Sequence, residues 1–188
     1  MLKRTHSPGL RSLIACTGVD KDRIGAYHIG FVLGPCMNAS GRLDTAKRTL
    51  DLLRAKAGKE ADILAGDLKA LNDSRKEMTD IAVEQARQIV DTTKAGQDRV
   101  LVLYLPGCHE SLAGIVAGRI RERYYRPAII LTDAEEGIKG SGRSIEAYNM
   151  YEELSRCKDL LTKFGGHKLA AGMSLAKENI EELRRTLK

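Results

Sequence analysis

Arg143 sits in Gly140-Ser141-Gly142-Arg143-Ser144, between two glycines and two serines. A guanidinium is a planar fork that matches phosphate oxygens, and hydroxyls add donors. Glycines let a backbone approach a ligand closely and expose N–H groups. The pentapeptide therefore has two readings, a phosphate cradle or a glycine-bearing edge strand with a solvated arginine. His167 follows Phe164-Gly165-Gly166 and precedes Lys168. A glycine pair there reads as a tight turn that could press the imidazole against a phosphate oxygen, or simply as a turn with a half-exposed histidine. Asn38 and Arg42 flank the small residues of Asn38-Ala39-Ser40-Gly41-Arg42. That run reads as a turn before a helix, able to hold phosphate at the helix N-terminus, or as a helix start with Asp44 as N-cap. His109 stands where a strand pattern meets a helix pattern, either near a ligand or capping the helix.

A hydrolytic metal centre finds little support. Magnesium and manganese phosphoesterases need several carboxylates, often with histidines. None of the four histidines, His6, His28, His109 and His167, adjoins an aspartate. The sole Asp-x-Asp, at Asp20 and Asp22, is followed by Arg23 with no strand before it. It reads as a solvated turn, and no metal site is assigned. Cys16, Cys36, Cys108 and Cys157 have no Cys-x-x-Cys spacing and read as small buried thiols in a reducing compartment.

The 188 residues carry a net charge of +6 and are 43% hydrophobic and 30% charged. This suits a packed core and an anionic partner, and excludes a disordered chain. With no tryptophan and only two phenylalanines, nucleic-acid contact is expected to lean on phosphates rather than stacking. No apolar run approaches the ~20 residues of a membrane span, and Met1–Gly18 lacks a leader's apolar core. The expectation is a cytoplasmic protein.

The elements that must position these residues divide near Gly96. Before it the pattern is helical, with one helix from Leu10 and another over Asp44–Ala57 that places Ala46, Leu50 and Leu53 on one side and ends at Gly58. His28–Pro35 reads as extended or irregular. The longest helix is predicted over Glu60–Thr93 and would span about 50 Å at ~1.5 Å per residue. After Gly96, strands are predicted at Arg99–Leu105, Ala128–Thr132, Gly137–Ser144 (edge-like) and Leu169–Ala176. Helices fall at Ser111–Tyr124, Met150–Leu161 and Glu178–Leu187. The fold class is α/β, a helical connector region (1–96) followed by a small mixed sheet flanked by helices (97–188).

Six motifs in order, NASGRL, LNDSRKEM, HESLAGIVAGRI, YYRPAIILT, GSGRS and FGGHKLAAG, give a resemblance to the RecJ family, 5′→3′ single-strand-specific exonucleases of the DHH phosphoesterase superfamily. It runs from about Pro8 to Leu187. In that family a domain with an Asp-His-His motif holds manganese or magnesium, a long helical connector follows, and a DHHA1 domain contacts the substrate. This sequence resembles the connector plus DHHA1. Asp-His-His occurs nowhere in it, so the expected metal domain lies outside the chain. The chain alone is expected to be inactive and to bind no cofactor.

The resemblance implies that Ser141 and Arg143 bind DNA phosphate, notably the 5′-terminal one, with Gly140, Gly142 and Ser144 beside them. It implies that Gly165, Gly166 and His167 face the scissile phosphate, with His167 in the catalytic role. Arg42, with Asn38, lies near the strand path. The role of His109 is the least defined, because Glu110-Ser111-Leu112-Ala113 departs from the family pattern. The implied partner is single-stranded DNA with a 5′ phosphate, in DNA repair and recombination. Two alternatives stay open. One is an oligoribonuclease or cyclic-dinucleotide phosphodiesterase of the same superfamily, which carries three glycines before the histidine. The other is a non-catalytic nucleic-acid-binding module.

Overall fold

A computed structural model describes residues 4–187. They fall into two compact units with the boundary between Glu77 and Met78.

The first unit is helical. Helix α1 (Pro8–Cys16) starts on Ser7, whose hydroxyl accepts from the Leu10 N–H, with Pro8 at the first turn where no N–H is needed. A helical run then comprises α2 (Ala26–His28), a π-helical turn (Ile29–Leu33) and α3 (Gly34–Leu43). The extended segment expected over His28–Pro35 is therefore helical. Pro35 has no N–H and its ring crowds the preceding turn. The chain widens there, and the Gly34 N–H reaches back to the Ile29 carbonyl. Burial of Leu33 and Cys36 holds the run in place.

Helix α4 (Lys47–Arg54) is shorter than expected, and it buries Leu52 while Leu50 and Leu53 stay 43% and 40% exposed. Asp44 does not cap it. Asp44 follows the end of α3, and its carboxylate pairs with Arg48. Gly58 opens α5 (Gly58–Thr92) rather than closing α4. Gly9 is required in this unit, because a Cβ there would lie 1.9 Å from the Leu52 carbonyl oxygen.

The second unit begins within α5, because Ala82, Ala86 and Val90 belong to its core. The remaining elements are β1 (Leu101–Tyr104), α6 (Glu110–Tyr124), β2 (Ala128–Asp133), β3 (Ile138–Arg143), α7 (Met150–Arg156), β4 (Leu161–His167), β5 (Ala170–Leu175) and α8 (Ile180–Thr186). They build a five-stranded mixed sheet in the order β1-β2-β3-β5-β4. Only β1 and β2 are parallel, and α6 makes the crossover that this requires. The expected edge-like third strand is the central strand, antiparallel to both β2 and β5. The two edges are β1 and β4, and β4 includes Phe164–His167, where a turn was expected.

Strand alternation sorts the side chains onto two faces. One face carries Ile129, Leu131, Ile138 and Met173, which pack with Met150 and Leu154 of α7 and Leu183 of α8. Each fully buried aliphatic side chain contributes roughly 1.5–3 kcal/mol. The other face begins apolar, with Leu101, Leu103, Ala128 and Ile130 beneath α6 and the end of α5. It turns polar at β3 and is open over β5 and β4.

Candidate functional site

The open half of that second face is built by register. Arg143 pairs with Ala170, and Ala170 with His167. Ser141 pairs with Gly172, and Gly172 with Gly165. Lys139 pairs with Ser174, and Ser174 with Lys163. Directly opposed residues in an antiparallel sheet share a face. Three cross-strand rows therefore lie side by side, ~6.6 Å apart along the strands, with β3 and β4 ~10 Å apart across β5. The middle row is nearly bare, and Gly172 is exposed although its strand lies inside the sheet. The result is a shallow trough whose floor is glycine. Lys139 and Lys163 flank one end, and Arg143 and His167 flank the other.

A cavity of roughly 500 Å³ opens over the lysine end, walled by Glu110, Ser111 and Ala113 of α6. The positive end of a 15-residue helix faces it and adds to its pull on anions. Glu110 opposes this. Its carboxylate lies 2.7 Å from Lys139 Nζ, and that hydrogen bond raises the lysine's pKa further above its ordinary value.

Arg143 is half-buried at the seam between β3 and α6. It donates from Nη1 to the Ser141 hydroxyl at 3.2 Å and to the Gly142 carbonyl at 2.8 Å. What admits it is Gly114. A Cβ there would sit 2.7 Å from Arg143 Nη2 and 2.9 Å from Ser141 Oγ, and one on Gly118 would touch the arginine stem. The two glycines, four residues apart on α6, form a groove for this side chain. Gly114→Ala should raise helix propensity by up to about 1 kcal/mol while pushing the guanidinium aside. The melting temperature should hold or rise while anion affinity falls, which thermal unfolding and a binding titration would separate.

His167 is exposed on β4, and its Nδ1 accepts from the Leu169 N–H at 3.3 Å. In the neutral ring that bond assigns the proton to Nε2, which can then donate to a phosphate oxygen. Lys168 instead pairs with Glu146 at 2.9 Å. His109 caps α6, its Nδ1 accepting from the Ser111 N–H at 3.3 Å.

Gly140, Gly142 and Ser144 have structural roles in the sheet and its core. A Cβ on Gly140 would lie 2.5 Å from a Leu131 methyl, and one on Gly142 would lie 2.3 Å from the Met150 sulfur. Both glycines make room for core side chains, and their backbone groups serve the central ladders. The Ser144 hydroxyl donates to the Tyr148 carbonyl at 2.7 Å. Asn38 and Arg42 belong to the first unit, exposed on α3. Arg42 stands in the last turn of that helix, where a turn before a helix was expected.

Three of the cysteines are buried, and burial raises their thiol pKa values. Cys16 is exposed, contrary to expectation, with its thiol donating to the Leu13 and Ala65 carbonyls.

Among the described residues no group of three or more His, Cys, Asp or Glu side chains could hold a metal ion. The residues here do not fit a divalent-metal centre, and no step is assigned to one. No helix among the described residues is long and apolar enough to cross a membrane.

Lys139, Lys163, Gly114 and Gly172 were not anticipated. Gly114 and Gly118, spaced by four in an amphipathic helix, were the available signal, since helix-interior glycines need a packing reason. The lysines become visible only when Lys163–His167 is read as a strand.

Residues 97–188 match the DHHA1 domain family. Over nearly its whole length the chain is RecJ-like. It is 39% identical to the single-stranded-DNA-specific exonuclease RecJ of Bacillus subtilis, across 99% of this chain and 24% of that protein. With RecJ of Escherichia coli it shares 37% identity across 93% of this chain and 32% of that protein. The crystal structure of Thermus thermophilus RecJ with Mg2+ superposes with a TM-score of 0.85 at 30% identity, covering 99% of this chain and 28% of that one. The chain thus spans about a quarter to a third of these relatives.

Proposed function

We propose that this chain is the substrate-gripping portion of a RecJ-like 5′→3′ single-stranded-DNA exonuclease. Residues 1–96 serve as a helical connector region and 97–188 as the substrate-binding domain. The observation that carries the reading is the open trough, in which Arg143, Lys139, Lys163 and His167 surround a glycine floor inside a DHHA1 domain. Ser141 and Arg143 hold a terminal 5′ phosphate. His167 donates from Nε2 to the phosphate under attack, aiming an N–H dipole where negative charge develops.

The floor of Gly165 and Gly172 lets a phosphodiester approach the sheet without meeting a side chain. Arg42 and Asn38 contact the strand elsewhere, and His109 orders the first turn of α6. Solved RecJ structures are described in complex with Mg2+ and with Mn2+. Such ions, held by a DHH domain, would supply the activated water. This chain's residues bind and orient the phosphate. The setting is the cytoplasm.

The test is a titration of the chain with 5′-phosphorylated oligodeoxythymidylate, with oligoribonucleotide and cyclic dinucleotide as competitors. Preferential binding of the deoxy strand supports the reading, and preferential binding of the dinucleotide or the RNA rejects it. Glu110→Gln should tighten binding a few-fold at low salt, because it removes the carboxylate that pairs with Lys139 in the trough. Fluorescence anisotropy at two salt concentrations checks this, and unchanged affinity would place Lys139 outside the strand path.

A further inference from the structure

Strand β4 closes one side of the trough, and its other side is a free edge. Among the described residues β5 alone pairs with it. The strand holds no proline, and its regular pairing with β5 runs over residues 163–167. Backbone N–H and C=O groups alternate between the two sides of a strand, so half of those in this stretch point outward. Such a row is a template for another strand.

The two faces of this edge differ in chemistry. Lys163, Gly165 and His167 lie on the trough face and are exposed. Nearby Lys139 and Lys168 are paired with Glu110 and Glu146, whereas Lys163 has no carboxylate partner among the described residues. Phe164 lies on the opposite face and packs with the core beneath α7. Tyr151 of α7 stands beside it, with ring centroids 5.9 Å apart and planes tilted by 36°. Tyr151 is 44% exposed, so an apolar ledge stays open next to the edge.

A strand added ~4.8 Å beyond β4 would set its residues opposite these. On the trough face, a carboxylate would meet the Lys163 ammonium or the His167 N–H. On the other face, an apolar side chain would meet Phe164 and Tyr151. The matching sequence alternates acidic and apolar residues at the strand's period of two. An edge lysine also keeps edges from pairing with their like. A second copy of the chain would bring its own Lys163 to the same seam, where like charges are unfavourable. The edge is therefore closed to its own kind and open to an acidic strand.

We propose that the free edge of β4 docks an extended acidic segment of a protein partner, which adds a strand to the sheet with acidic residues toward Lys163 and His167 and apolar residues on Phe164 and Tyr151. Main-chain hydrogen bonds supply the affinity, and the alternating side chains supply the choice of partner. The site needs no nucleic acid, so it stands or falls apart from the phosphate grip.

The experiment titrates the full chain with three short peptides and follows backbone amide shifts by NMR. One peptide alternates glutamate with valine, one alternates lysine with valine, and one is the glutamate peptide N-methylated along its backbone. The glutamate peptide should bind and shift the amides of β4 and Tyr151. The lysine peptide should bind several-fold more weakly. N-methylation removes the donors that face β4 and should cost roughly tenfold.

Lys163→Glu should reverse the preference and admit the lysine peptide, a gain that misfolding cannot produce. Tyr151→Ala should weaken the glutamate peptide several-fold with little change in melting temperature. Equal binding of the N-methylated peptide overturns strand addition. Equal binding of the lysine peptide, or an unchanged preference in Lys163→Glu, overturns the charge match. Shifts confined to other elements, an absence of binding, or a dimer of the chain formed through β4 overturns the site.

Discussion

Gly166→Ala should destabilise the second unit by about 3 kcal/mol, whereas Gly165→Ala, one residue earlier, should change stability by no more than ~0.5 kcal/mol. Gly166 has φ +154°, and a Cβ there would lie 2.3 Å from the Ala170 carbonyl oxygen and 2.6 Å from the Ala171 Cα. Backbone cannot move aside as a side-chain tip can, and these atoms belong to the β4–β5 hairpin that carries His167. At Gly165 no atom lies within 4 Å of the corresponding position. Its added methyl would enter the trough instead. Thermal unfolding should show a drop of roughly 6–12 °C for Gly166→Ala and almost none for Gly165→Ala. Strand affinity should still fall for Gly165→Ala. Equal stability of the two variants would contradict the hairpin register, and normal binding by Gly165→Ala would place the phosphate elsewhere.

Arg143→Ala should weaken binding of a 5′-phosphorylated strand by roughly 1–3 kcal/mol, or about five- to 150-fold. The guanidinium is held by Ser141 and the Gly142 carbonyl and admitted by Gly114, so it is positioned before ligand arrives. Truncation also removes an aliphatic stem packed against α6, and some stability should be lost with it. Arg143→Lys keeps the charge and much of the stem but not the fork. It should restore stability while recovering only part of the affinity, because lysine cannot bind phosphate in two places at once. Isothermal titration beside thermal unfolding separates the two effects. Full affinity in Arg143→Lys would reduce the arginine's role to that of a point charge.

Long periodic segments were legible. The helix expected over Glu60–Thr93 is observed at Gly58–Thr92, and the strands at β1 and β2 and the helix α6 fall within two residues of expectation. Apolar runs buried on both faces announce themselves. The misread segments are those whose conformation is set by distant partners. Lys163–His167 holds two adjacent glycines, a poor strand signal, yet pairing with β5 makes it a strand. Gly137–Ser144 looked like an edge because glycines are weak in strands. Those glycines answer to Met150 and Leu131, which no local pattern reveals. Gly30, Gly34 and Pro35 suggested irregular chain, but burial of Leu33 and Cys36 overrides local propensity. Arg143 and His167 were recognisable as chemistry. That they share one row of one sheet face, with Lys139 and Lys163 two rows away, follows only from the register.

The most direct test compares the same oligodeoxythymidylate with a 5′ phosphate and with a 5′ hydroxyl, titrated against the wild-type chain over a range of salt. The phosphorylated strand should bind more tightly. The logarithm of affinity should fall with the logarithm of salt by about 0.7 per phosphate neutralised, and the slope should be steeper for the phosphorylated end. Equal affinities and equal slopes for the two ends would contradict an end-gripping trough.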